Sequence, residues 1–487
     1  MNKLLQYTGL FSAGLLLATS ALAADITAAQ VASTPLPNPQ DMFSWTTQQK
    51  VVGFSHSAQL FSTENMQRGY WISPLWPARP DQIWRANQLR YQYGSNANGT
   101  PHTGNTVDDY MKHSKATALL VLKDGNVALE RYAMGITPWT LWDSKSAAKS
   151  ITSTLLGMAI KDGYISSVDD PIDMYVTELH GTAYQGVPLR AMLHMASGVA
   201  WNENYLDPNS DISTLLKCVN NSGTNTPSCA LNLLASRPHA IDPATGVNAV
   251  PGAVFNYSTG EAFLTGLAIQ RATRLSLAQY MQRKLWQPLG MEANGNWWTW
   301  NGVSFGAGGF NATLHDYGRW GLYVMNNGRL PDGTRTLPEH WMRGATTWTM
   351  ASALPYYADN GQYGYMWWFA PAYDDNQVGA TNFASPIYVN IGAPLQNTDN
   401  PAGAVPVQAR SPVQGQPDSV SDWTFEAQGA FGQLIAINQR EHLVVVQWSV
   451  WDKPSPTCCD TTNPENSADD PYNEQATFLN ALLTALH

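Results

Sequence analysis

Apolar residues recur every four positions through Ala147, Ile151, Leu155 and Ala159, with Met158 beside them. That spacing is the buried stripe of a helix. Asp162-Gly163 supplies its stop, with glycine where a left-handed cap is wanted. Upstream, the apolar runs Ala118–Leu122 and Val127–Tyr132 flank Lys123-Asp124-Gly125-Asn126. Asp-Gly between such runs predicts a hairpin. Thr106-Val107-Asp108-Asp109 predicts a helix start, a capping box with Asp in place of Glu. Val51-Val52-Gly53-Phe54 predicts a strand. Leu189–Met195, Ala262–Ala272 and Leu277–Trp286 predict helices, and Pro338 opens another after Leu337. Near the C-terminus, Leu434–Ile437 and Leu443–Val450 predict two strands joined by Asn438–His442. A final amphipathic helix is expected from about Asn473, with Phe478, Leu479, Leu482, Leu483 and Leu486 on one stripe.

Strands near both chain ends with helical patterns between them imply a sheet built from both ends. The expectation is an α/β (α+β) fold: an antiparallel sheet flanked by helices, with an all-helical domain inserted at about 165–345. Residues 24–105, rich in Pro, Trp, Gln and Asn, read as an extension wrapped on a main body that begins at residue 106. Residues 370–422, rich in Pro, Gly, Asn and Gln, read as a surface insertion. Residues 1–23 read as an export signal: Lys3, a short apolar run holding Leu15-Leu16-Leu17, and the cleavage site Ala21-Leu22-Ala23. The run is too short to span a bilayer, and no later segment approaches the necessary ~20 apolar residues.

Composition narrows the function. The 487 residues carry a net charge of -10 with only 13% charged residues and no basic cluster, which argues against a nucleic-acid partner. Four cysteines in an exported chain point to disulfides. Of the possible pairings, Cys218–Cys229 closes a short polar segment, whereas pairing the adjacent Cys458 and Cys459 needs a strained ring. The ten histidines are scattered, with no C-x-x-C or H-E-x-x-H pattern, so neither a metal nor another cofactor is expected.

Ser146-Ala147-Ala148-Lys149 opens the striped helix. Positions i and i+3 share a helix face, so the amine lies beside the hydroxyl. Burial lowers a lysine's pKa and frees a lone pair, and such an amine can take the serine proton. Tyr257, in Asn256-Tyr257-Ser258-Thr259-Gly260, precedes another predicted helix. A phenol beside a lysine can serve as a general acid–base group, although a core tyrosine at a helix start fits the same residues. Gly429-Ala430-Phe431-Gly432-Gln433 leads into an apolar strand. Small residues there admit a substrate to the backbone, and an N–H of this segment could join that of Ser146 around an oxyanion.

In this order the three pieces resemble the serine β-lactamase and penicillin-binding-protein superfamily, most closely class C β-lactamases and their esterase and 6-aminohexanoate-dimer hydrolase relatives. The resemblance includes Asp143–Lys149, Asp162–Ile165 with Asp169-Asp170-Pro171, Met195–Val199 with Trp201 and Glu203, Gly308–Thr313 and Gly429–Gln433. It implies a β-lactamase/transpeptidase-like fold and an acyl-enzyme hydrolase acting on a small amide or ester. Ser146 is then the nucleophile, with Lys149 and Tyr257 shuttling protons. The N–H groups of Ser146 and Ala430 form the oxyanion hole, and Tyr205 covers the substrate. Two departures matter. The tyrosine motif is Tyr257-Ser258-Thr259 rather than Tyr-x-Asn. The Lys-Thr-Gly motif is absent, residues 423–428 being Trp-Thr-Phe-Glu-Ala-Gln. Lacking that carboxylate-recognising lysine, the chain fits the aminohexanoate and esterase branch better than a β-lactamase or D,D-peptidase.

Two rival readings remain. Gly302-Val303-Ser304-Phe305-Gly306 fits the nucleophile elbow of α/β-hydrolases, with His315, His340 and His442 as candidate partners. A non-catalytic cell-wall peptide-binding protein on this fold would suit loss of the third motif, but not retention of Ser146, Lys149 and Tyr257.

Overall fold

The computed structural model describes residues 26–92, 104–220, 226–243, 245–346, 363–370, 424–455 and 471–487. The expected export signal at 1–23, residues 371–422 of the expected insertion, and Cys458 and Cys459 lie outside them. Eleven strands occur among the described residues: β1 (Thr63–Met66), β2 (Ala116–Lys123), β3 (Asn126–Tyr132), β4 (Trp142–Asp143), β5 (Gly295–Trp300), β6 (Val303–Ser304), β7 (Phe310–Ala312), β8 (Trp368–Ala370), β9 (Thr424–Gly429), β10 (Gln433–Asn438) and β11 (Leu443–Ser449). The helices that matter most are α1 (Thr47–Ser55), α2 (Val107–His113), α3 (Ala148–Lys161), α4 (Leu189–Leu193), α5 (Asp211–Asn220), α6 (Thr226–Ala235), α7 (Thr259–Thr273), α8 (Leu277–Met281), α9 (Leu314–Met325) and α10 (Pro471–Leu486).

The main sheet runs β3-β2-β11-β10-β9-β8, antiparallel throughout. It is assembled from both chain ends: Leu443 of β11 faces Lys123 of β2. The β2–β3 hairpin turns at Asp124 and Gly125, both at positive φ, as an Asp-Gly turn requires. Successive side chains point to opposite faces. Leu119, Val121, Leu434, Ala436 and Val445 therefore pack beneath α2 and α10, where Phe478 stacks on Tyr110. Leu120, Leu122, Ile435, Ile437, Val444 and Val446 join the larger core on the other face. There Gly318 and Gly321 let α9 lie directly on Leu120 and Val444.

Several expectations change. Val51–Phe54 is not a strand but part of α1, because Thr46 and Gln49 form a capping box ahead of it. An apolar run of that length suits a buried helix equally well. The helix expected at Pro338 begins only at Trp341, after His340 in the left-handed region. The block 165–345 is not helical throughout: after α8 it contributes β5, β6 and β7. These build a second sheet, β1-β5-β7-β4, with β6 paired to β5. Nor is the N-terminal segment a mere wrapping, since it supplies β1 and puts Met42, Trp45, Val51, Phe54 and Phe61 into the main core. Cys218 and Cys229 are joined between α5 and α6, with Cα atoms 5.6 Å apart.

Candidate active site

Ser146 sits in a single 3₁₀ turn, Lys145–Ala147, that runs straight into α3. The residue before it, Lys145, is held in the left-handed region at φ 49°. Asp143 holds that conformation, accepting from the Lys145 N–H at 2.9 Å and pairing with its Nζ at 2.8 Å. Asp143 extends β4, and the Ser144 N–H donates to Phe310 O of β7. The second sheet, absent from the sequence expectation, therefore carries the turn. Thr152 Oγ1, one helical turn on, donates to Gly306 O at 2.6 Å and fixes α3 against the same layer.

Lys149 lies where i+3 spacing puts it. Its Nζ is 2.7 Å from Ser146 Oγ and 3.1 Å from Ala307 O, and the residue is 1% exposed. Burial lowers its pKa from 10.5 to about 8, with the Glu203 carboxylate acting the other way. About a tenth of the amine is then neutral at pH 7. The same nitrogen lies 5.1 Å from the Tyr257 ring centroid. Tyr257 precedes Ser258, whose Oγ caps α7 by accepting from the Glu261 N–H. Its ring stacks on Trp368 at 5.4 Å, and the Asn256 N–H, next door, donates to Met195 O at 2.7 Å. Ser146, Lys149 and Tyr257, 111 residues downstream of Ser146, are thus brought together.

The strand end carrying Ala430 abuts the serine turn. A Cβ on Gly429 would lie 2.3 Å from Ser144 O, so only glycine permits this approach. Phe431 and Gly432, both at positive φ, then turn the chain into β10. Gln433 pins that turn, donating to Ala430 O and Ser449 O while accepting from Trp142 Nε1.

Glu203, singled out in the sequence only as part of the family resemblance, has a role that the sequence did not show. Its carboxylate accepts from Tyr205 OH at 2.9 Å, from the Thr259 N–H at 3.0 Å, and from Thr259 Oγ1 and Trp201 Nε1. It ties the Tyr205 loop to the start of α7. Beneath it, Ser197 Oγ donates to the buried Glu261 at 2.6 Å, and burial pushes that carboxyl up to about 8.

Ser304 is placed quite differently. It is 0% exposed, its Oγ lies 3.1 Å from Thr299 Oγ1, and no helix follows until Leu314. Both ring nitrogens of His315 are taken, by Glu292 and Glu130. The elbow context that Gly302–Gly306 needs is not met.

A family model described as beta-lactamase matches residues 104–460. The chain belongs to the β-lactamase family. Among curated relatives, a 6-aminohexanoate-dimer hydrolase from Paenarthrobacter ureafaciens is 25% identical over 277 residues, 54% of this chain and 66% of its own length. The chain thus spans slightly under two thirds of that relative. Among solved structures, a Bacillus anthracis protein proposed to be a 6-aminohexanoate-dimer hydrolase superposes with a TM-score of 0.61 at 18% identity, over 83% of this chain and 89% of its own. A Bacteroides dorei protein proposed to be a β-lactamase gives 0.51 at 19% identity, over 76% and 95%. At these identities the likeness establishes the fold. Within the β-lactamase family, the chain is similar to 6-aminohexanoate-dimer hydrolase. The β-lactamase-type fold inferred from the motifs is thereby established.

Proposed function

We propose that the protein is an exported serine hydrolase that cleaves small amides or esters through an acyl-enzyme on Ser146. The observation that carries this reading is the buried Lys149 amine 2.7 Å from Ser146 Oγ. In its neutral form Lys149 accepts the hydroxyl proton as Oγ attacks the carbonyl carbon. The N–H groups of Ser146 and Ala430 receive the oxyanion. As the carbon–heteroatom bond breaks, the proton passes by way of Lys149 and Tyr257 to the leaving amine or alcohol. A water then gives up its proton to the same pair and attacks the acyl carbon; as the carbon–Oγ bond breaks, that proton passes to Ser146 Oγ, releasing the acid and restoring the hydroxyl and the neutral amine. The 6-aminohexanoate-dimer hydrolase relative supports an amide substrate. The missing lysine in β9 weighs against the carboxylate recognition of a β-lactamase or D,D-peptidase.

Intact mass after reaction with a fluorophosphonate tests the reading. The expected adduct forms on the wild type and on Ser304→Ala but not on Ser146→Ala, which keeps its fold and loses turnover. An adduct lost only in Ser304→Ala would sink the proposal, and no adduct on any form would favour a binding protein. Export rests on residues 1–23 and fits a disulfide-bearing chain. It predicts a mature protein that starts at Ala24.

A further inference from the structure

The N-terminal segment lies outside the family match, which begins at residue 104, yet it touches the site at three points. Met42 Sδ is 3.2 Å from Lys145 Nζ, beside the nucleophile. The Phe54 ring lies 4.0 Å from the same ammonium and 5.6 Å from the Phe431 ring. Phe43 stands between two groups of the site itself: its ring is 5.1 Å from Tyr205 and 6.4 Å from Phe431. Tyr205 is tied through Glu203 to Thr259, two residues after Tyr257, and Phe431 directly follows Ala430. Phe431 is fully buried, whereas Phe43 and Tyr205 keep part of their surface open.

From this placement we infer that Phe43 is a specificity-determining residue, forming with Tyr205 an apolar wall that selects substrates bearing an extended alkyl or aryl arm beside the scissile carbonyl. The inference rests on Ser146 being the nucleophile. The wall does not suit an anionic arm. Lys145 is paired to Asp143, and Lys50, 4.7 Å from the Phe431 ring, donates to Trp451 O and Asp452 O. An apolar wall discriminates by the surface it covers, and even one methylene is worth about tenfold in such a pocket.

The experiment compares kcat/KM for p-nitrophenyl acetate and p-nitrophenyl hexanoate. The wild type should prefer the hexanoate. In Phe43→Ala the hexanoate-to-acetate ratio should fall at least about tenfold, mainly through KM, and Phe43→Leu should restore most of it. Trp139→Ala, at a residue 75% exposed and in no ring contact with Phe43 or Tyr205, is the control and should leave the ratio alone. An equal loss on both esters in Phe43→Ala, or a wild type indifferent to chain length, would make Phe43 a packing residue and overturn the inference. Failure of the underlying reading looks different: no Ser146-dependent turnover of even the acetate and no fluorophosphonate adduct, which removes the site together with its wall.

Discussion

In the proposed mechanism Lys149 must be neutral to act, and its pKa near 8 would tie catalysis to pH through one proton. Acylation should therefore rise with pH until about 8 and then level. The groups facing Lys149 are Ser146 and Tyr257, with Glu203 as the charge that raises its pKa. Lys145 and Glu261, on neighbouring elements, are bonded to Asp143 and Ser197. Removing the Glu203 charge leaves burial unopposed, so Glu203→Gln should move the acid limb of the kcat/KM profile to lower pH. It should also raise KM, because Tyr205 loses its anchor. An unmoved limb would show that Glu203 does not reach Lys149. The serine and lysine were legible because their spacing is local and fixed by a helix. Tyr257 was legible through its motif. Glu203 stood in the family resemblance without a role, since that role arises only when folding brings residue 259 to the carboxylate beside residues 201 and 205.

The elements show the same division. The β2–β3 hairpin and α2 could be read because a turn pair and a capping box each declare themselves within four residues. Strands β5 to β7 could not. Asn296 and Trp297 are strand residues because β1 and β7 lie on either side of them, and β1 comes from a distant part of the chain. Val51–Phe54 fits both periods, and the cap ahead of it decided the outcome. The junction of β9 with the serine turn is the element contact most exposed to test. In Gly429→Ala the new methyl would meet a backbone oxygen, so one of the two segments must move. A shift of about 1 Å at a reacting group costs on the order of a hundredfold. We expect kcat to fall by about that factor while cooperative unfolding is retained. Undiminished kcat would mean that the strand end does not position the nucleophile.

Across the whole molecule, one buried and one half-buried group make stability depend on pH in the same direction. The Glu261 carboxyl, ordinarily near 4.5, titrates at about 8 in the fold, and His315, ordinarily near 6.5, is raised to about 9 by Glu130 and Glu292. Both folded states hold a proton that the unfolded chain gives up sooner. Their contribution is complete below the unfolded pKa and is lost as pH rises through the folded one. The melting temperature should thus decline from about pH 5 towards pH 9. Glu261→Gln keeps a neutral group of the same shape, so its profile should be flatter, and parallel profiles would count against the buried carboxyl.

The pairing of β2 with β11 also has a consequence in time. A ribosome delivers Lys123 long before Leu443, and the hairpin that starts the main sheet must wait for nearly the whole chain before its neighbour arrives. Contacts so remote in sequence form slowly, because loop closure comes before any reward. For the proposed export route this delay is useful. If the chain is exported as proposed, the half-made polypeptide would be unable to close its central sheet, so it would stay threadable until its C-terminal strands arrived.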